Sequence, residues 1–174
     1  MSVTVRPLER SEWRMLRDLR LFALQTEPGV FASSYAREAT LVQEQWLKLM
    51  QGPDRQVFGA FDGDRLVGIT GVVPFRDDPS GETAMLVMSY LLPEYRRRGL
   101  STLFYDERFR WLRGHPEFKR VVVYHRRSNE ASRRANQRYG FVLTHAEPTT
   151  WPDGTVEDEV HYELPLVPPD TTAS

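Results

Sequence analysis

The chain has 174 residues, enough for one domain with a full core, and its 40% hydrophobic and 27% charged residues are those of an ordinary soluble globular protein. It holds no cysteine, which excludes disulfides, zinc-thiolate sites and a cysteine nucleophile. A formal net charge of −1 hides an uneven distribution: residues 96–138 carry 13 Lys/Arg against 4 Asp/Glu, a net +9, and the rest carries 10 against 20, a net −10.

A block this basic suits a polyanion, either nucleic acid or a small phosphorylated molecule. Its arginines are spread over two predicted helices and a strand end with few aromatics between them, which argues against nucleic acid as a partner. No apolar run approaches the ~20 residues that span a bilayer, and Met1-Ser2-Val3-Thr4-Val5-Arg6 lacks the apolar centre of a signal peptide. A cytoplasmic protein with no membrane partner is expected, and pairing of two copies into a homodimer is left open.

Residues Val3 to Leu8 read as a short strand, after which Ser11 is expected to cap a helix whose Trp13, Leu16, Leu19, Arg20, Phe22, Ala23 and Leu24 form a core-facing stripe along residues 12–26. The stretch from Thr26 to Tyr35 reads as a loop, and a second helix is expected from near Thr40 until Gly52-Pro53. Gln56 to Phe61 and Arg65 to Val73 form a predicted hairpin turning at Gly63, with Gly68 and Gly71 marking bulges or weak points. After the polar turn at residues 76–81, Thr83 to Leu92 completes an antiparallel meander.

Pro93 to Phe104 then reads as a turn into a helix carrying Leu100, Leu103, Phe104, Phe109 and Leu112. Arg96, Arg97 and Arg98 crowd the start of that helix, where unpaired N–H groups and the macrodipole already concentrate positive charge. An anion would relieve this. Gly99 admits close approach to the backbone, and Leu100, Ser101 and Thr102 follow with amides at the helix start, so the segment describes a cradle for a pyrophosphate; a solvated basic helix start has the same composition. Arg120 to His125 is a predicted buried strand parallel to the one before the helix, giving a β-α-β unit. A further helix capped at Ser128-Asn129-Glu130 ends at Gly140-Phe141, and strands at Phe141 to Ala146 and Glu157 to Leu166 close a single domain over residues 1–167, with 168–174 a frayed tail.

The order Arg96, Gly99, Ser101 resembles the acetyl-CoA-binding motif of the GNAT family of N-acetyltransferases, with Ser101 where the family has Gly or Ala. Asn129, followed eleven residues later by Gly140-Phe141, resembles that family's second signature at its usual distance. The resemblance implies a mixed α/β fold with a central, mostly antiparallel sheet of about seven strands, a splayed parallel pair within it and about four flanking helices. It implies transfer of an acetyl group from acetyl-CoA to a primary amine of a small molecule or peptide by direct attack, or else a non-catalytic acyl-CoA-binding module. It places pantetheine in the splay beside Ser89 and Leu91, with the Leu91 amide polarising the thioester carbonyl, and it puts Phe31 and Tyr35 over the acceptor.

Two family residues are missing. Asn136 stands where a tyrosine commonly protonates the leaving thiolate, which leaves Tyr139 as the nearest donor, although a packing role suits that ring as well. Tyr124 stands where some members carry a glutamate, so the base is sought among Glu82, Glu157, Asp158 and Glu159, with Glu159 first because its strand should border the acceptor pocket. His125 shares a strand face with Val121 and Val123 and reads as a structural histidine. No spacing of His, Asp and Glu along the chain resembles a metal site.

Overall fold

In the computed structural model, which describes residues 2–166, the strands are β1 (Val3–Pro7), β2 (Gln51–Gly52), β3 (Arg55–Asp62), β4 (Arg65–Pro74), β5 (Thr83–Leu91), β6 (Arg120–Arg126), β7 (Val142–Thr150) and β8 (Val156–Pro165). The α-helices among the described residues are α1 (Trp13–Thr26), α2 (Tyr35–Glu38), α3 (Gln43–Met50), α4 (Ser101–Arg113) and α5 (Glu130–Arg138). The strands form one sheet in the order β1-β3-β4-β5-β6-β8-β7, with β2 paired to β3 alone. All pairs are antiparallel except β5 with β6, which α4 joins as the expected β-α-β crossover. The architecture is the mixed α/β one expected, with eight strands and five helices for about seven and about four.

Alternate residues of a strand face opposite sides of the sheet, and β3 shows the consequence: Val57 belongs to one hydrophobic cluster and Phe58 to another. The first cluster takes Leu16, Leu19, Ala23 and Leu24 from α1 and Trp46 and Met50 from α3; the second takes Tyr105 and Leu112 from α4 with Phe141 and Tyr162. The stripe read from the sequence on residues 13–24 is therefore the face that α1 buries, except at Phe22, which is exposed.

Local chemistry moved several boundaries. Ser11 does not cap α1; it sits inside a 3-10 turn at Arg10–Glu12, where the Glu12 carboxylate accepts from the Glu9 amide at 2.8 Å and from Arg6 at 2.7 Å. The helix expected near Thr40 begins only at Gln43 as α3, and a short unexpected helix, α2, precedes it because Ser34 accepts from Arg37 N–H. The strand expected at Phe141 to Ala146 runs from Val142 to Thr150, carried past Ala146 by pairing with β8. The tail predicted for 168–174 lies outside the described residues.

The feature that positions the site is an interruption in β5. Its ladder with β4 shifts register between Ile69 and Gly71, and Met88 takes φ 59, a left-handed conformation rare for a residue with a side chain. On its other edge β5 pairs with β6 only from Thr83 to Met85, opposite Arg120 to Val122. Beyond that point the two parallel strands separate.

Candidate active site

The separation of β5 and β6 opens a cavity of about 910 Å³ lined from both strands, from α4 and α5, and from the loop after α1. At its mouth the chain turns from β5 into α4. The amides of Arg97, Arg98, Gly99, Leu100 and Ser101 have no hydrogen-bond acceptor among the described residues; Arg96 N–H returns to Pro93 at 3.2 Å and Thr102 N–H to Gly99 at 3.3 Å. Arg97 (φ 61) and Gly99 (φ 74) are both left-handed, which turns successive peptide N–H groups outward. A Cβ added at Gly99 would meet nothing within 4 Å, so the space in front of this backbone is open. A polyanion fits here on geometric grounds.

Much of the basic block is answered by acids brought close by the fold: Arg120 by Asp78, Arg126 by Asp153 and Glu157, Arg127 by Asp158, and Arg133 by Glu130. Arg96, read from the sequence as a cofactor ligand, is instead paired with Glu27 at 2.5 Å and donates from Nε to the Leu91 carbonyl at 2.9 Å. It fastens the end of α1 to the end of β5. Arg97 and Arg98 form no ion pair among the described residues; Arg98 lies over the Tyr95 ring at 5.3 Å.

Leu92 N–H bonds to Val67 in β4 at 2.9 Å. Successive amides alternate edges along a strand, so the Leu91 N–H faces the opposite edge, toward the gap, as does its carbonyl on Arg96. Ser89, Leu91, Arg96, Arg97, Gly99, Leu100, Ser101, Asn129 and Asn136 all line the cavity, whereas Arg98 and Thr102 do not. Asn129 caps α5 through Ser132 N–H at 3.1 Å, and Gly140 (φ 86) ends that helix with Phe141 N–H returning to Asn136 at 3.0 Å.

Of the expected acceptor residues, Phe31 is buried and lines the cavity, but Tyr35 is exposed and does not. Phe31 is seated by Arg20, whose guanidinium lies 4.7 Å from its ring and forms a buried two-pronged pair with Glu38 at 2.9 Å. Arg126, at the end of β6, gathers the remainder of this wall: it donates to the Gly29 carbonyl at 3.0 Å and to Asp153 at 2.8 Å, pairs with Glu157, and lies over Trp151.

These contacts separate the four candidate bases. Glu82 is a half-buried, distant partner of Arg120; Glu157 is held by Arg126 and the Ser128 amide, which keep its carboxyl below the usual range; Asp158 is paired with Arg127. Glu159 alone of the four lines the cavity. Burial, and then the charge of Glu147, raise its carboxyl above the usual range. Its neighbour is His161, with Nε2 at 3.1 Å, and the β7–β8 register sets His145 opposite His161 and Glu147 opposite Glu159. The donor atoms of His145, Glu147 and His161 lie within 4.8 Å of one another, a grouping across two strands that residue spacing along the chain does not show. Tyr124 lies on the His161 ring at 3.8 Å, and burial, with Asp77, Glu159 and Glu147, pushes its phenol far up. His125 reaches the cavity but is committed to the Arg126 carbonyl at 2.8 Å, and burial lowers its ring below the usual histidine value.

Tyr139 does not reach the cavity. It stacks on Tyr105 at 4.0 Å within the second hydrophobic cluster, so the geometry gives it a packing role in place of the proton-donor role weighed above. Of this stacked pair it is Tyr105 that lines the cavity, and its hydroxyl donates to Asn136 Oδ1 at 2.5 Å. Sequence reading passed over Tyr105 and its neighbour Arg108, since on an amphipathic helix they look like a core aromatic and a surface charge.

Comparison with known proteins agrees with this geometry. The chain matches the profile of the Acetyltransferase (GNAT) family over residues 13–141. Among solved structures, a GNAT-family acetyltransferase from Streptococcus pneumoniae superposes with a TM-score of 0.80 at 16% identity, covering 94% of this chain and 99% of that one. The acetyltransferase yncA from Salmonella typhimurium, solved with its cofactor acetyl-CoA, gives 0.74 at 17% identity over 98% and 99%. An acetyl transferase from Salmonella typhimurium that modifies the N-terminal serine of ribosomal protein L7/L12 gives 0.70 at 16% over 95% and 95%. No curated protein matches the sequence.

Proposed function

Since the chain belongs to the GNAT family of acetyltransferases, we propose that it transfers the acetyl group of acetyl-CoA to a primary amine of a small molecule or peptide by direct attack. The observation that carries this reading is the run of amides from Arg97 to Ser101 with no protein acceptor, placed at the mouth of a cavity whose other wall ends in Glu159. Bound there, the coenzyme supplies an activated acetyl thioester. The amides at the start of α4, with Arg97, hold its pyrophosphate, and the Leu91 N–H polarises the carbonyl.

An alkylamine of pKa ~10.4 must lose a proton before it can attack, at a cost of about 4.6 kcal/mol at pH 7. Glu159 takes that proton. Its raised carboxyl brings it nearer to neutrality than an ordinary glutamate, and it has no Lys or Arg partner among the described residues to hold it inert. The Salmonella relative that modifies an N-terminal serine supports a peptide amine as one acceptor class.

The test is release of free thiol from acetyl-CoA with a panel of alkylamines, amino acids and short peptides. Turnover with at least one amine is expected. Tight acetyl-CoA binding with no turnover on any of them would instead make the chain a binding module.

A further inference from the structure

Two arginines are buried in this molecule, and they are treated differently. Arg20, 5% exposed, meets the Glu38 carboxylate in two hydrogen bonds. Arg108, 3% exposed, meets no carboxylate; its Nε donates to the Phe104 carbonyl at 3.2 Å and its Nη1 to Thr70 Oγ1 at 2.8 Å and Ser89 Oγ at 2.9 Å. These acceptors are all neutral. A guanidinium has more N–H groups than they use, and Nη2 makes no hydrogen bond among the described residues while Arg108 lines the cavity. A buried charge without a counter-ion costs several kcal/mol, so its retention points to an anion that arrives from outside.

We propose that Arg108 is the receptor for the sulfur that leaves coenzyme A in the transfer, balancing the thiolate charge as it forms. In that step the neutral amine nitrogen bonds to the acyl carbon, the carbon–sulfur bond breaks and its electron pair stays on sulfur, while the second nitrogen-bound proton goes to Glu159, which has passed the earlier ammonium proton to solvent. The pyrophosphate already has its own place at the start of α4. Arg108 lies seven residues further along the same helix, about 10 Å of rise from Ser101, and lines the same cavity. The acceptor wall carries Glu159, which would repel an anionic acceptor, so the two walls are polarised as the reaction requires, cation at the leaving group and carboxylate at the attacking amine.

The titratable groups facing Arg108 do not neutralise it. Tyr105 lies under the guanidinium at 4.4 Å, and burial raises its phenol, leaving it uncharged at neutral pH. Tyr139 stacks behind Tyr105. Burial lowers Arg108 only to about 10, so it keeps its proton.

The inference rests on acetyl-CoA as donor but not on the acceptor or on Glu159, because its test needs no amine. Coenzyme A bound to the whole protein is titrated by the ultraviolet absorbance of its thiolate. Free coenzyme A thiol ionises near the ordinary thiol value of ~8.5. In the wild-type complex ionisation is expected at least about one pH unit lower. Arg108→Met should return it to the free value or above, reduce kcat on a working amine by about 100-fold and leave KM for acetyl-CoA within about twofold. Arg108→Lys, which keeps the charge, should keep part of the shift. Melting temperature serves as a folding check, since replacing an unpaired buried charge by Met is expected to leave stability equal or higher. A wild-type complex whose thiol ionises at or above the free value overturns the proposal without any variant. So does an unchanged titration in Arg108→Met accompanied by loss of turnover only on carboxylate-bearing amines, which would assign the cation to the acceptor.

Discussion

The donor wall of the cavity is mostly main chain, and the acceptor wall is mostly side chains. On the donor side stand the amides of residues 97–101, which have no acceptor among the described residues, and the Leu91 N–H, and only a left-handed turn, a bulge at Met88 and a helix start are needed to aim them. On the acceptor side Phe31 comes from the loop after α1 and Trp151 and Glu159 from the distant β7–β8 hairpin, kept together by Arg20 with Glu38 and by Arg126 with Asp153, Glu157 and the Gly29 carbonyl. A main-chain site tolerates many sequences, because every residue supplies an amide. A side-chain site depends on long-range pairs, and single changes reshape it.

The largest effect expected from this contrast is at Gly99. Gly99→Glu places a carboxylate in open space before the free amides, at a φ of 74 that a side chain resists. Acetyl-CoA binding should be lost in a calorimetric titration while the circular dichroism spectrum is retained; unchanged affinity would put the phosphate site elsewhere. On the opposite wall, Glu38→Ala leaves Arg20 buried without its partner and should cost about 3–5 kcal/mol in denaturant unfolding. A cost near zero would mean that the wall is not held by that pair.

Glu159→Gln should reduce kcat by about 100-fold with little change in KM for acetyl-CoA, since a base acts on the amine and not on coenzyme binding. The pH profile sharpens this. Glu159 must be ionised to accept a proton, and its carboxyl lies above the usual range, so wild-type activity should fall as pH drops through that raised value. Glu147→Gln removes one cause of the elevation, and the acid limb should move to lower pH; a limb that stays in place would exclude Glu159 as the group seen. The smallest effect is expected for Tyr139→Phe, which keeps the stacked ring on Tyr105 and should change kcat by less than about twofold. A large loss would restore the hydroxyl to the chemistry.

The donor wall was legible in the sequence because its determinants are consecutive. Gly99, the three arginines and the spacing to Asn129, Gly140 and Phe141 can be read without knowing what lies across the sheet. Even there, the ion pair that Arg96 makes was not legible, since its partner Glu27 is 69 residues away. Helix stripes were legible for the same local reason, and helix starts less so, because Ser11 has the right chemistry for a cap and the Arg6–Glu12 pair competes with it.

Chain order and periodicity by themselves determined a meander and a β-α-β unit with a basic, glycine-containing turn, since 3.6-residue and two-residue repeats and turn chemistry act over a few neighbours, and the motif resemblance carried these to the fold. Tertiary structure alone decided which glutamate faces the cavity, which tyrosine is packed away from it, and that Arg108 is a buried cation without a counter-ion. The first is a question of strand register, where a one-residue shift would reverse the answer, and the other two depend on what is packed against a given helix face.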